Sequence, residues 1–329
     1  MPEIRPNAFP WHRPDQALRF DAFMQAALHD PERGYYGRRI REIGHRGDFS
    51  TSSSLGHLLA RGITSWARMA LKRTSCRNLI EIGPGNGALA REILSGFPRF
   101  RKPRLHLVES SPPLRDRQQK TLDGFRVCWH PTLSDALAAC EGAACLYSNE
   151  LVDAFPVRRF RREPGGWSEQ FLLPTTSVWE PAEEFPDSSA FDRHWEVGQV
   201  IEVHESYHQW LSRWLPAWSR GRMLTIDYGA RVEGLYDRQP HGSLRAYFHH
   251  QCLSGAEAWS RPGHQDLTAD VNFTDLERWT SNFGATCSLQ TQEKFLKPFR
   301  NSSEAADQFL TDVDGAGTAF LVHEFERRI

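Results

Sequence analysis

Residues 78–94 decide how this chain folds: Asn78-Leu79-Ile80-Glu81-Ile82-Gly83-Pro84-Gly85-Asn86-Gly87-Ala88-Leu89-Ala90-Arg91-Glu92-Ile93-Leu94. The first five read as a short buried strand, the next five as a glycine-rich turn, and Ala88 restarts the chain as a helix. Glycines at 83, 85 and 87 allow a tight bend and let the backbone approach a ligand with no Cβ in the way. Downstream, Leu105-His106-Leu107-Val108 reads as a second strand ending in Glu109. Residues 124–129 read as a third. Ala143-Ala144-Cys145-Leu146-Tyr147-Ser148 reads as a fourth, ending in Asn149-Glu150. Strands that alternate with helices at this spacing imply crossover units and a parallel sheet.

Upstream, residues 17–28 carry Leu18, Phe20, Phe23, Met24, Ala27 and Leu28 at helical spacing, and Asp30-Pro31 stops the helix. A loop rich in Gly and Arg spans 34–48, and a second amphipathic helix spans 54–71. Beyond the fourth strand, residues 157–173 suggest a hairpin around Pro164-Gly165-Gly166. Residues 174–192, acidic and Pro-rich, read as loop. Residues 207–218 read as a helix whose Trp210, Trp214 and Trp218 form a core stripe. Residues 222–226 are another buried strand, ending in Asp227-Tyr228-Gly229. A helix near 273–283 and strands near 285–290 and 319–325 close the chain.

The 329 residues contain 40 Lys and Arg against 41 Asp and Glu, a formal net charge of -1. That balance indicates no bulk nucleic-acid binding. No apolar run approaches the roughly 18 residues that span a bilayer, so no membrane partner is expected. Residues 1–19 lack the apolar stretch of a secretory signal and are too poor in Ser for a transit peptide. None of the six Cys are spaced as CxxC, which argues against a zinc knuckle or a thioredoxin-type site. Scattered thiols in a chain this long suggest a reducing cytoplasm. Oligomeric state is not legible.

The pattern around the turn is ExGxGxG, with Glu81 two residues before the first glycine. Glu109, at the tip of the next strand, can accept protons from both hydroxyls of a ribose. Dinucleotide sites place a pyrophosphate on the helix start, whereas S-adenosylmethionine (SAM) has no phosphate and carries a cationic sulfonium and amino group. An acid beside the turn suits SAM better.

With these motifs in place the chain resembles class I SAM-dependent methyltransferases. More narrowly it resembles the MidA-like family, which includes a mitochondrial arginine methyltransferase of complex I assembly. The strings that carry the likeness run in order: His29-Asp30-Pro31-Glu32-Arg33-Gly34-Tyr35-Tyr36, Gly47-Asp48-Phe49-Ser50-Thr51-Ser52, the glycine turn, Leu107-Val108-Glu109-Ser110-Ser111-Pro112 and Ser148-Asn149-Glu150-Leu151-Val152-Asp153-Ala154-Phe155-Pro156. They continue with Ile226-Asp227-Tyr228-Gly229, Gly242-Ser243-Leu244-Arg245-Ala246-Tyr247 and Gln265-Asp266-Leu267-Thr268-Ala269-Asp270-Val271-Asn272-Phe273. The resemblance implies an α/β, Rossmann-like fold: a mainly parallel seven-stranded sheet, an N-terminal helical segment and a large insertion after the fourth strand. It divides the chain into 1–74, a SAM-binding core at 75–230 with an insertion near 157–220, and a C-terminal segment, 231–329, that completes the sheet and the acceptor side.

For the site, the resemblance implies SAM held by Gly47, Asp48, Thr51, Glu81, Gly83, Pro84, Gly85, Asn86, Gly87, Glu109, Ser110 and Asn149, with residues 47–52 closing over it. Related sequences often carry His-Val-Asp where this chain has Asp270-Val271-Asn272, and residues 53–57 also diverge. Asn149, Glu150 and Asp153 stand where a methyl group would be delivered. If the acceptor is an arginine, two carboxylates can clamp its guanidinium and relay the released proton. Asp227, Tyr228, Arg245, Asp266 and Asp270 form the expected acceptor side, and a protein or peptide is the expected partner. A SAM-binding assembly factor with little turnover, or a methyltransferase for a small molecule or peptide carboxylate, would carry the same cofactor motif. Arg158-Arg159-Phe160-Arg161-Arg162 reads as the solvated face of an insertion strand. His204-Glu205-Ser206-Tyr207-His208 matches the HExxH zinc pattern, but residues 199–203 read as a strand leading into it. No metal is therefore expected.

Overall fold

The computed structural model describes residues 16–39, 57–174, 176–248, 251–283, 286–301, 304–312 and 315–327. A two-residue strand, β1 (Leu18–Arg19), leads into helix α1 (Phe20–His29), which buries Phe20, Phe23, Met24, Ala27 and Leu28, the predicted stripe. A π-helical turn, Tyr35–Arg39, follows. Helix α2 (Leu58–Thr74) buries Leu58, Leu59, Ile63, Trp66 and Ala70. It runs past its predicted end because Lys72 and Arg73 suit the negative end of a helix and Ser75 supplies the left-handed cap, φ 55°. The four strands then follow in the order read, with helices between them: β2 (Asn78–Ile82), α3 (Ala88–Ser95), β3 (Arg104–Val108), α4 (Pro112–Thr121), β4 (Val127–His130), α5 (Leu133–Ala139) and β5 (Ala144–Asn149), with α4 and α5 as crossover helices the sequence reading does not place. Pro112 opens α4, where its missing N–H is no loss, and the Thr132 hydroxyl caps α5 by accepting from the Asp135 amide.

The insertion is a small antiparallel sheet of β6 (Arg158–Glu163), β7 (Gly166–Leu172), β8 (Ser177–Pro181) and β9 (Val200–Val203), with β1 added from the N-terminal segment. The predicted hairpin is β6–β7. The acidic, Pro-rich stretch is not all loop. Val178 pairs with Phe171 and Trp179 with Gln170, and Pro181 stands at the strand's last position, where a missing N–H is tolerated. Helix α6 (Glu205–Trp214) returns the chain to the central sheet, Trp214 and Trp218 being fully buried as the stripe implied. Then come β10 (Gly221–Ala230), α7 (Val232–Tyr236) and a three-stranded sheet of β11 (Arg245–Phe248), β12 (Gln251–Leu253) and β13 (Asp266–Thr268). The chain ends with β14 (Val271–Asn272), α8 (Phe273–Ser281), β15 (Thr286–Thr291), α9 (Gln292–Leu296), α10 (Ala305–Thr311), α11 (Ala316–Ala319) and β16 (Phe320–Arg327).

The central sheet has the order β15-β16-β10-β5-β2-β3-β4, with β14 pairing onto the end of β10. The strands from β10 to β4 are parallel, and β16 and β15 are antiparallel. Both faces are covered. Leu79, Leu105, Leu107, Tyr147 and Leu224 pack on one side with α2 and α3, while Ile80, Ile82, Leu146 and Met223 pack on the other with α5, α6 and α8. Burial on two faces is why these strands read as unbroken apolar runs. β2 lies between β3 and β5, so the connection order reverses beside it. In open sheets of this kind ligands bind in the crevice outside the carboxyl ends of the strands at such a reversal.

Candidate active site

The glycine turn bends at the end of β2. Gly83, Gly85 and Gly87 adopt φ of 67°, 53° and 81°, the left-handed region that side chains resist. A Cβ at Gly83 would sit 2.8 Å from the Leu151 side chain, so the turn also abuts the loop after β5. The Gly83 amide donates to the Val108 carbonyl at 3.1 Å, the Gly87 amide to the Pro84 carbonyl at 2.9 Å, and the Ala88 amide to Asn86 Oδ1 at 3.0 Å. Glu81 is 3 % exposed, and burial pushes its carboxyl up to about 8 against the pull of the neighbouring Tyr147 hydroxyl. Its Oε2 is buried with no hydrogen-bond partner.

Glu109 stands across the turn at the tip of β3. It is buried, which raises its pKa, while Ser111 N donates to Oε1 at 2.8 Å and Gln118 Nε2 to Oε2 at 3.2 Å. Gln118 also donates to the Gly85 carbonyl at 2.8 Å and accepts from Trp129 Nε1 at 3.1 Å. One fully buried amide thus fixes the turn relative to the acid. Sequence reasoning missed it, because a lone Gln in a polar helix carries no local signal. The structure gathers Glu81, Gly83, Pro84, Gly85, Asn86, Gly87 and Glu109 in one place, with exposed Ser110 beside them. Gly47, Asp48 and Thr51 lie outside the described residues.

After β5, Glu150 takes φ 51°, left-handed for a residue with a side chain, and its amide donates to the Ile226 carbonyl at 2.9 Å. Asn149 Nδ2 donates to Glu150 Oε1 at 3.0 Å. Strain of this kind gathers at functional sites. The next two amides, Leu151 and Val152, donate to Asp227 Oδ2 at 3.1 and 2.8 Å. Asp227 is wholly buried at the end of β10. Burial, with the nearby Asp153 carboxyl adding to it, raises its pKa well above the carboxylate range. Burial pushes Asp153 up to about 7, the Tyr228 hydroxyl opposing by donating to Oδ2 and Glu150 adding to the rise. Asp153 Oδ1 is buried with no hydrogen-bond partner.

Arg245 covers this cluster, its guanidinium 4.7 Å from the centre of the Tyr228 ring and 2.6 Å from Asp270 Oδ1. Gln239 Nε2 donates to Asp270 Oδ2 at 2.8 Å. Asp266 Oδ1 accepts from the Tyr36 hydroxyl at 2.7 Å, and the Tyr36 carbonyl accepts from Ser111 Oγ at 2.9 Å. Tyr36 therefore spans from the Glu109 loop to the acceptor-side acids. Its string, Gly34-Tyr35-Tyr36, was visible in the sequence, but its destination 230 residues away was not.

Two motifs resolve differently. Arg158 and Arg159 are 4 % and 5 % exposed rather than solvated. Arg158 pairs with Glu169 at 2.7 Å and Glu205 at 3.2 Å, and Arg159 with Glu202 at 3.0 Å. The HExxH residues serve structure: His204 precedes α6 as a buried cap position, Glu205 holds Arg158, and the His208 ring stacks on Trp279 at 4.8 Å. Among the described residues no three His, Cys, Asp or Glu gather to hold a metal.

A parallel sheet with a glycine turn after its first strand, an acid at the tip of the second and carboxyls beyond the fourth and fifth defines a class I methyltransferase. The chain belongs to the MidA-like family, described as "Putative S-adenosyl-L-methionine-dependent methyltransferase", whose family model matches residues 58–291. The mitochondrial protein arginine methyltransferase NDUFAF7 of Rattus norvegicus is 28% identical over 324 residues, covering 84% of this chain and 69% of that protein. The NDUFAF7 homologue of Caenorhabditis elegans is 27% identical over 326 residues, covering 83% and 71%. A Burkholderia thailandensis protein crystallised with S-adenosyl-homocysteine shares the fold with a TM-score of 0.85 at 24% identity, over 94% of this chain and 88% of that one. The protein is a SAM-dependent methyltransferase, and SAM is its cofactor. No helix among the described residues is long and apolar enough to cross a membrane.

Proposed function

We propose that the enzyme transfers the methyl group of SAM to an arginine guanidinium of a protein. The observation that carries this is the buried carboxyl group of Asp153, raised to about 7 with Oδ1 unpartnered, between Glu150, Asp227 and Tyr228. The NDUFAF7 relatives, named as protein arginine methyltransferases, support the same acceptor.

The chain's own residues fit SAM. The orphaned Oε2 of Glu81 suits a cationic amino group, and Glu109, with one donor on each oxygen, keeps lone pairs for ribose hydroxyls. Gly83 and Gly87 keep side chains out of the turn, and Ser110 and Asn149 border it. Bound SAM supplies an electrophilic methyl on a sulfonium, so the protein's task is alignment and desolvation. A guanidinium is cationic and a poor nucleophile. Glu150 and Asp153 orient it and draw its charge to the nitrogens that do not react, with Asn149 at the edge of the clamp. As nitrogen gains the methyl and the sulfonium bond breaks, one N–H proton must leave. Asp153, poised near neutrality, takes it and Tyr228 keeps the carboxylate oriented. Asp227, Arg245, Asp266 and Asp270 hold the surrounding loops. The six free thiols support a reducing compartment such as the cytoplasm.

The test is incubation with methyl-labelled SAM and peptides carrying arginine, lysine or free carboxylates, followed by amino-acid analysis. Label on methylarginine, abolished by Asp153→Asn while SAM still binds, is the expected result. Base-labile ester label, or tight SAM binding with no transfer to any protein, would overturn it.

A further inference from the structure

The edge of the parallel sheet opposite the crevice carries a row of cations. Arg77 and Arg126 stand just before β2 and β4, and Arg104 is the first residue of β3. The pairing of Asn78 with Arg104 and of Leu105 with Val127 puts the three on adjacent strands. Such strands lie about 4.8 Å apart. The Arg104 amide donates to the Arg77 carbonyl at 2.9 Å. A short 3-10 turn, Arg99–Arg101, leads into β3 and adds Arg99, Arg101 and then Lys102. All six side chains are exposed, and none has an ion-pair partner among the described residues, the nearest pair in sequence being Arg73 with Glu326. Asp123 and Glu141 are the exposed acids on this edge. Phe100 projects from the turn at 84 % exposure, with the Arg101 guanidinium 5.8 Å from its ring centre.

Against the expectation of no membrane partner, which rested on the lack of a spanning segment, we propose that this edge docks the enzyme on an anionic lipid bilayer, with the Phe100 ring entering the headgroup layer and the row of cations facing lipid phosphates and carboxylates. A large apolar ring held out in water beside the Arg101 guanidinium gains by being buried at an interface. At a bilayer surface the ring is buried while the guanidiniums reach back to the headgroups. Single-stranded RNA fits the surface less well, because it needs successive stacking faces along a groove. Here one aromatic is free, and the other, Phe125, is covered by Lys102 at 4.5 Å. Docked this way, the crevice at the far ends of the same strands faces away from the bilayer and stays open to a protein acceptor. The proposal does not depend on which acceptor is methylated.

The test is flotation of the full chain with phosphatidylcholine vesicles, with and without phosphatidylserine, at low and high salt. Binding only to the anionic vesicles, weakened by salt, is expected. The partition should fall about fivefold for each cation removed. The double variant Arg77→Glu, Arg104→Glu and the single variant Phe100→Ser should each lose vesicle binding while SAM affinity, measured by calorimetry, stays unchanged. No flotation, flotation indifferent to lipid charge, or capture of single-stranded RNA or an acidic peptide by these residues in place of vesicles would overturn the proposal.

Discussion

Glu81 is a carboxyl group held out of water with one oxygen facing no partner, and if it receives the cofactor's amino group, as proposed above, binding is a proton-linked event. In the empty enzyme burial keeps it protonated up to about pH 8. A bound ammonium favours the carboxylate, so binding expels a proton wherever the solution lies below that value. SAM affinity should therefore rise with pH towards 8, by at most about tenfold per unit, and then level off. Calorimetry in buffers of different ionisation heat measures the released proton, and Glu81→Gln should abolish both the release and the slope. Asp153 gives the second titration. If it accepts the proton of the reacting nitrogen, kcat/KM falls as pH drops through about 7. Asp153→Asn should remove that limb and slow transfer by about 10² to 10⁴-fold with SAM affinity retained. The residues of the turn and Glu109 were legible because their signal is local: glycines at fixed offsets and an acid at a strand end. Gln118 and Tyr36 were not, because each matters through a partner brought near only by the assembled sheet.

The loop after β5 and the end of β10 are tied by one carboxyl. Asp227 Oδ2 accepts the amides of Leu151 and Val152, so Asp227→Ala would strand two buried N–H groups. The cost should be about 2–5 kcal/mol in urea unfolding. Asp227→Asn, which keeps an acceptor oxygen, should cost much less. The sign of its pH dependence is set by burial, which raises the folded pKa. Wild-type stability from this group declines as pH climbs above the unfolded value of about 3.9, so the Asn variant closes the gap at higher pH. Gly229 is the second tie. A Cβ there would sit 2.1 Å from the Val271 carbonyl oxygen, at φ 147°, so Gly229→Ala should break the β10–β14 pairing and displace the neighbouring Tyr228. Helices α1, α2 and α6 and the central strands were readable from apolar spacing and turn residues, whereas α4, α5, α7, β11–β14 and α9–α11 were not placed. β8 was hidden by proline and acid in its neighbourhood, and the burial of Arg158 and Arg159 by partners on β7, β9 and α6. Sequence spacing shows a charged run, but only strand register shows that Glu169, Glu202 and Glu205 meet it.

Across the whole molecule, a net charge of -1 conceals opposite ends. The carboxyl ends of the parallel strands hold Glu150, Asp153, Asp266 and Asp270 around one guanidinium, Arg245, which is already paired with Asp270, while burial keeps Asp227 beside them neutral. The amino ends hold the row of unpaired cations. Such a separation makes a field that a neutral average does not cancel near the surface, and field lines concentrate where carboxyls line a crevice. A cationic acceptor approaching in dilute salt should be drawn to the catalytic end and turned from the other. Raising ionic strength from about 0.01 M to 1 M shortens the screening length from about 30 Å to 3 Å. For an arginine-rich peptide, kcat/KM should fall steeply over that range. The value of kcat at saturating peptide should hold nearly constant if buried carboxyls orient the bound guanidinium as proposed, because they are poorly screened. An acceptor bearing a carboxylate should show the opposite trend, and a neutral one no trend. Steady-state kinetics on matched peptides against salt thus reads the sign of charge the crevice was built to receive, and a salt-independent kcat/KM for the arginine peptide would reject a guanidinium as that charge.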